Sequence, residues 1–365
     1  MTDKEQKMYE IIRENPQISQ NELAAKLGIT RSAVSTHVSH LIKKGYIIGR
    51  QYILSEPSYV VVIGAANIDI VGRSTDPLIP EDSNPGSMEM CPGGVGRNVA
   101  ENLARLGTPV KLITAIGNDS FGKKIVQSAE SAGVDASHSY VNSDDVSSTY
   151  IAILDTGGEM KMALSDMRVL DKMPVEHLAK NQQIIKNAEL IVTDAGLPEA
   201  TLEYILTNFE GSRIFIDSVS VGKAKHAKRL IGRFDTVKTN RLEAEFLSDS
   251  SITDRASLSR IGEIFLKKGV KRVFITLGSA GAYYRTAGAE GIFPAAPIRP
   301  ANATGAGDAF MAGVVYGTLK GWGERETARF SSAMSRIALM SGNTVSPLMS
   351  LNNVKAEMQK TEVSN

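Results

Sequence analysis

Apolar positions recur along residues 1–54 in short helical periods, each bounded by a polar cap or a breaker. Met8, Ile11 and Ile12 predict the buried face of a first helix, which Pro16 ends. Ser19 predicts the N-cap of a second, Gln20–Leu27, with Leu23, Ala24 and Leu27 turned inward. Gly28-Ile29-Thr30 predicts a tight turn that caps a third helix, Arg31–Lys44, whose Val34, Val38, Leu41 and Ile42 fall at i, i+4, i+7 and i+8. Gly45 stops that helix, and Tyr46–Leu54 predicts a β-hairpin around Gly49-Arg50. From Tyr59 the rhythm changes. Tyr59–Ile63, Val110–Ile116, Glu189–Thr193, Ile214–Ile216, Thr236–Lys238 and Arg272–Leu277 predict strands, with amphipathic helices such as Gly96–Leu106 and Ser257–Lys268 between them. Such alternation predicts an α/β domain with a mainly parallel sheet covered on both faces. Ser148–Leu154 and Glu159–Leu164 flank Asp155-Thr156-Gly157-Gly158, a hairpin signature. A hairpin projecting from an α/β core predicts a lid, with strands near 71–90 and 148–164. The expected domains are 1–54 and 59–365, joined by a linker at 55–58.

Composition sharpens this division. The chain has 365 residues, 42% hydrophobic and 22% charged, as expected of a folded protein with one large domain and a small module. Net charge is +1, but it is uneven. Eight Lys/Arg against five Asp/Glu give +3 over residues 1–55, and 33 against 35 give −2 over the rest. A polyanion partner is therefore expected only at the N-terminal module. The single cysteine, Cys91, excludes an intramolecular disulfide and a cysteine-cluster metal site. No apolar run approaches the ~20 residues of a membrane span, and a cytoplasmic location is expected.

Three helices with a glycine turn before the third, followed by a hairpin, resemble a winged helix-turn-helix. That resemblance implies DNA binding, with Ser32, Ser35, Thr36 and His37 facing the major groove and Arg31 and Arg50 approaching phosphates. A three-helix module used for protein contacts is the alternative.

Chemistry concentrates in Asn302-Ala303-Thr304-Gly305-Ala306-Gly307-Asp308, which runs into the apolar stretch Ala309–Leu319. Glycines at 305 and 307 leave backbone N–H groups free to converge on an anion at a helix N-terminus. A carboxylate directly after them could take a proton from an attacking hydroxyl. A glycine turn with an acidic residue in the first helical turn is the blander alternative.

Residues 59–350 resemble the ribokinase-like, phosphofructokinase-B type carbohydrate kinases. The resemblance rests on Pro92-Gly93-Gly94-Val95-Gly96-Arg97-Asn98-Val99-Ala100 and, far downstream, on Asn302–Asp308 followed by Ala309-Phe310-Met311-Ala312-Gly313. It implies a three-layer α/β/α core with a small β lid and an ATP-dependent phosphotransferase acting on an alcohol. Asp308 would be the base, and the amides of Gly305, Ala306 and Gly307 the anion hole. Asn67, Asp69, Gly93, Gly94 and Asn98 would hold the acceptor. Asn240, Thr276, Gly278, Gly281 and Asn343 would lie at ATP, and Glu243 would order the water shell of Mg²⁺.

Within that family the segments Asn67–Asp69, Asp82–Gly86, Pro92–Asn98 and Ser165–Met167 resemble the pseudouridine kinases, with Asp166 placed to meet the base or ribose. Other nucleosides or a pentose remain as acceptors. Val95 stands where ribokinase has Lys, which argues against free ribose. Asn302 stands where the family more often has Asp, in the loop associated with a monovalent cation, so K⁺ dependence stays open. A nucleoside-sensing transcriptional regulator without catalysis is the alternative of a different class, against which the retained Asp308, Asn240 and Glu243 speak. A homodimer is also expected.

Overall fold

The computed structural model describes residues 1–16, 18–48, 58–298, 300 and 304–363. It divides into two compact units, Met1–Ser58 and Tyr59–Asn365. Most of the hairpin expected over Tyr46–Leu54, most of the expected linker, and Arg50 and Asn302 lie outside the described residues.

In the N-terminal unit each helix starts on a side-chain cap. Thr2 accepts from the Glu5 amide, Ser19 from Glu22 and Thr30 from Ala33, opening Asp3–Glu14, Gln20–Leu27 and Arg31–Lys43. Glu5 and Glu22 return the bond and complete capping boxes. Gly28 ends the second helix in the left-handed region at φ 63°, which a side chain would resist. Met8, Ile12, Ile18, Leu23, Val34, Val38, Leu41 and Ile47 close a small core of their own.

The large unit is built on a nine-stranded sheet. Its order is Glu290–Phe293, Ala282–Arg285, Arg272–Thr276, Thr236–Asn240, Ile214–Asp217, Leu190–Asp194, Val60–Ile63, Val110–Ile113 and Val134–Asp135. The first two are antiparallel additions at one edge, and the other strands run parallel. Side chains of the central strands alternate between two faces, both buried. Val61 and Ile63 pack into one core, while Val60 and Val62 pack into the other on the opposite face. The stretch expected as one strand over Val110–Ile116 breaks at Thr114, and Ala115–Gly117 pairs instead with Tyr140–Asn142.

The lid is a separate four-stranded sheet, in the order Gly86–Gly93, Asn67–Ser74, Thr149–Leu154, Met160–Asp166. Register sorts its faces. Ile70, Met90, Ile151 and Leu164 lie side by side on one, and Asp69, Cys91, Tyr150 and Ser165 on the other. On the apolar face Met88, Met90, Met162 and Leu164 are all at least half exposed.

Candidate active site

Two helices begin at the site. Gly94, at φ 96°, precedes the helix Val95–Arg105; Gly305, at φ 84°, precedes the helix Ala306–Leu319. Neither position suits an L side chain, and both are crowded as well. A Cβ on Gly94 would come within 2.6 Å of Ala65 O, and one on Gly305 within 1.9 Å of Thr344 O. Gly93 is needed for a different neighbour: its Cβ would lie 2.1 Å from an Asp69 carboxylate oxygen.

The helices meet through one bond. Asn98 Nδ2 donates to Asp308 Oδ2 at 2.8 Å, joining the upstream and downstream signatures. Asn98 Oδ1 accepts from Arg97 Nη1 at 3.0 Å, which fixes which end of the amide faces the carboxylate. Arg97 is itself buried, pairs with Glu101, and donates to Ser128 Oγ and to Pro92 O. Asp308 has no second hydrogen-bond partner among the described residues, which leaves a lone pair open for a substrate proton.

Beneath this bond lies a row of charge that the sequence motifs do not mention. Asp194, Asp217 and Lys238 are register partners on three adjacent parallel strands, the two aspartates at the C-terminal ends of theirs and Lys238 two residues before the end of its own. All three are buried, and Lys238 Nζ donates to Asp217 Oδ2 at 2.9 Å. The ammonium also lies under the second motif, since a Cβ on Gly307 would meet Nζ at 2.7 Å. Asp194 receives the backbone N–H groups of Ala65 and Gly196, each at 2.8 Å.

Burial, and then the negative charge of Asp217, push the Asp308 carboxyl up to about 7, against the pull of the Asn98 amide and Lys238. Burial likewise lifts Asp194 to about 6, although the Ala65 and Gly196 amides stabilise its charge. For Lys238 burial opposes the charge, yet Asp217, Glu243 and Asp308 outweigh it and hold the ammonium above its ordinary range.

On the acceptor side Asn67 Nδ2 donates to Asp69 Oδ1 at 2.6 Å, and burial raises the Asp69 carboxyl while that amide and Arg97 lower it. Asp166 pairs in register with Thr149, and Thr149 with Ile68, so it lies on the lid face opposite Asp69 and forms a two-pronged ion pair with Arg168. Ser165 is the residue that shares the face of Asp69.

On the nucleotide side a cavity of about 630 Å³ is lined by Thr276, Gly278, Gly281, the segment 294–298, Ala306, Gly307, Ser335 and Arg336. Asn240 and Asn343 are not among its lining residues. Asn240 caps the helix Arg241–Ser248, and Glu243 returns that bond and accepts from Ser218 Oγ at 2.6 Å. Oε2 of Glu243 thus accepts from the Asn240 N–H and from Ser218, and Oε1 accepts from Asn240 Nδ2.

In the N-terminal unit Arg31, Ser32, Ser35 and Thr36 are exposed along the third helix. His37 departs from the expected outward face. It is half-buried, and its Nδ1 is buried with no partner among the described residues.

With this geometry in place, similarity to known proteins has a specific meaning. Residues 57–350 match the profile described as pfkB family carbohydrate kinase, and residues 1–48 match that of a winged helix-turn-helix DNA-binding domain. The chain is 36% identical over 314 residues to a pseudouridine kinase of Escherichia coli K12, covering 86% of this chain and 100% of that one. It is 34% identical over 354 residues to an uncharacterized sugar kinase of the same organism, covering 97% and 98%. A candidate sugar kinase from Clostridium perfringens superposes with a TM-score of 0.77 at 37% identity, covering 84% of this chain and 97% of that one.

Proposed function

The chain belongs to the pfkB family of carbohydrate kinases, and on that premise we propose that it transfers the γ-phosphoryl group of ATP to the 5′-hydroxyl of a nucleoside, pseudouridine before others. The observation that carries this reading is the Asn98–Asp308 bond, which joins the acceptor wall to the helix start facing the nucleotide cavity. In the proposed step Asp308 takes the 5′-hydroxyl proton as that oxygen bonds to the γ-phosphorus. The bond between phosphorus and the β–γ bridging oxygen breaks, and ADP leaves. The amides of Gly305, Ala306 and Gly307 and the ammonium of Lys238 supply positive charge where phosphate charge gathers. Asp69 and Asn67 orient the acceptor hydroxyls against Gly93 and Gly94. Thr276, Gly278 and Gly281 border the nucleotide; Asn240 and Asn343 would contribute from outside the cavity lining.

Mg²⁺ is expected to arrive with ATP and to neutralise its phosphates, with Glu243 reaching it through water. We propose K⁺ as a supporting cation whose need stays open, given Asn302, and turnover in K⁺ against a bulky organic-cation buffer decides it. We propose that Asp166, turned away from Asp69, acts on the acceptor only by way of the lid.

A coupled ADP-release screen over pseudouridine, uridine, inosine, adenosine, cytidine and ribose tests the substrate. Preference for pseudouridine is expected; strong preference for a free pentose would defeat the reading. The capped three-helix unit favours a second capacity, DNA binding through residues 1–54 with Arg31, Ser32, Ser35 and Thr36 at the duplex. Ligand-dependent DNA shifts without turnover of any nucleoside would instead make the protein a sensor.

Among the described residues no helix is long and apolar enough to cross a membrane, and we propose a cytoplasmic location. The exposed Met88, Met90, Met162 and Leu164 suit contact with a second copy. Sedimentation should therefore give a dimer mass, reduced to that of a monomer by Leu164→Glu.

A further inference from the structure

The N-terminal unit holds a cluster that neither DNA reading nor phosphoryl transfer uses. Glu5, from the first helix, is almost wholly buried, although a carboxylate ordinarily seeks water. Its Oε2 is occupied, accepting from the Thr2 amide at 2.7 Å and from Lys44 Nζ at 2.8 Å. Its Oε1 faces His40 Nδ1 at 3.5 Å. His37 stands one helical turn before His40 on the third helix, so both rings emerge on the same side. One ligand atom from each of Glu5, His37 and His40 can be chosen so that all lie within 4.8 Å of one another.

The second, independent observation is His37 Nδ1. It is buried and has no hydrogen-bond partner among the described residues. A buried polar atom without a partner requires water or an ion to satisfy it. Two imidazoles and a carboxylate are a donor set of borderline hardness, suited to a divalent transition metal rather than to Mg²⁺ or Ca²⁺. Ligands about 2.0–2.1 Å from Zn²⁺ stand closer together than 4.8 Å. The adjustment falls to His40, whose side chain is more than half exposed and free to swing.

We propose that Glu5, His37 and His40 form a site for one Zn²⁺-class ion, with water as the fourth ligand, that ties the first helix to the third. Lys44 competes for the same carboxylate, so its removal should strengthen the site.

The test uses the untagged full-length chain without nucleotide, titrated with Co²⁺ and followed by visible absorption, then displaced with Zn²⁺. One tetrahedral Co²⁺ per chain is expected, without a thiolate charge-transfer band and unchanged in Cys91→Ser. His37→Gln and His40→Gln should each weaken Co²⁺ by at least about 10–100-fold, as loss of even a supporting group does at metal sites. Lys44→Met should tighten it. His40→Gln alters an exposed side chain, so retained helicity by circular dichroism separates lost ligation from lost fold. Absence of a tetrahedral band, or binding indifferent to both histidine variants, would overturn the proposal.

Discussion

Gly93, Gly94 and Gly96 give up their side chains to protein: an Asp69 oxygen, the Ala65–Ala66 backbone and the Gly64 backbone fill the space within 2.1 to 2.9 Å of where each Cβ would stand. Gly307, before the other helix's third residue, yields its space to the Lys238 ammonium and borders an open cavity. The polar groups that follow differ in the same sense. Asn98 is neutral, with its carbonyl held by Arg97 and its amide by Asp308. Asp308 is ionisable, holds one bond, and lies among Asp217, Asp194 and Lys238. Two glycine-rich helix starts that read alike in sequence thus differ: the first is packed into protein throughout, and the second, packed only at Gly305 against Thr344, sets an ionisable carboxyl beside an open cavity.

The largest expected break in that contrast is Asp308→Asn. It should lower kcat by about 10²–10⁴-fold while leaving ATP affinity by calorimetry nearly unchanged. Its melting temperature should not fall, because a buried carboxyl beside Asp217 and Asp194 is replaced by a neutral amide. Near-wild-type turnover would remove Asp308 as base.

Next in size is Gly94→Ala on the frame side. A positive φ and a backbone clash together should cost about 3 kcal/mol or more in denaturant unfolding. Gly278→Ala, at φ 61° with nothing within 4 Å of the added atom, should cost only about 1 kcal/mol. Equal costs would mean that crowding at Gly94 adds nothing to the cost of a positive φ.

The pH profile gives a subtler test. A base must be unprotonated, so kcat/KM should rise through about pH 7 and level off. Stability should move the other way. The folded pKa stands above the ordinary 3.8, so this group's contribution is complete below 3.8 and is lost as pH rises to about 7. Asp217→Asn removes the nearest like charge and should bring the activity limb down by about one pH unit. An unmoved limb would show that Asp217 does not tune the base.

Much of this was open to sequence reasoning. Ser19 and Thr30 are caps where their polar oxygens precede apolar periods, and the lid hairpin turns at Asp155–Gly158 as its residues demand. Asp308 and Asn98 are identifiable because glycines precede both. Asp194, Asp217 and Lys238 are harder to find. Each is the single charged residue of its strand, LIVTD, IFID and TVKTN, and a lone charge on a short strand is usually just solvated. Only the register of three parallel strands, separated by crossover helices, makes them neighbours. A single charge in each of three consecutive buried strands was the available signal. The lid face of Asp166 is hidden for a related reason: only the register of the lid strands shows that it lies opposite Asp69, while Ser165 beside it shares the Asp69 face.

The bond between Asn98 and Asp308 spans 210 positions of chain. At about 5–20 residues per second on the ribosome, its two halves emerge roughly 10 to 40 seconds apart. The N-terminal unit, complete by Ser58 with a core of its own, precedes both. Each molecule therefore passes through a period of synthesis in which its three-helix module can be folded and the Asn98–Asp308 bond does not yet exist. A message cut short between codons 58 and 308 would release the first without the second.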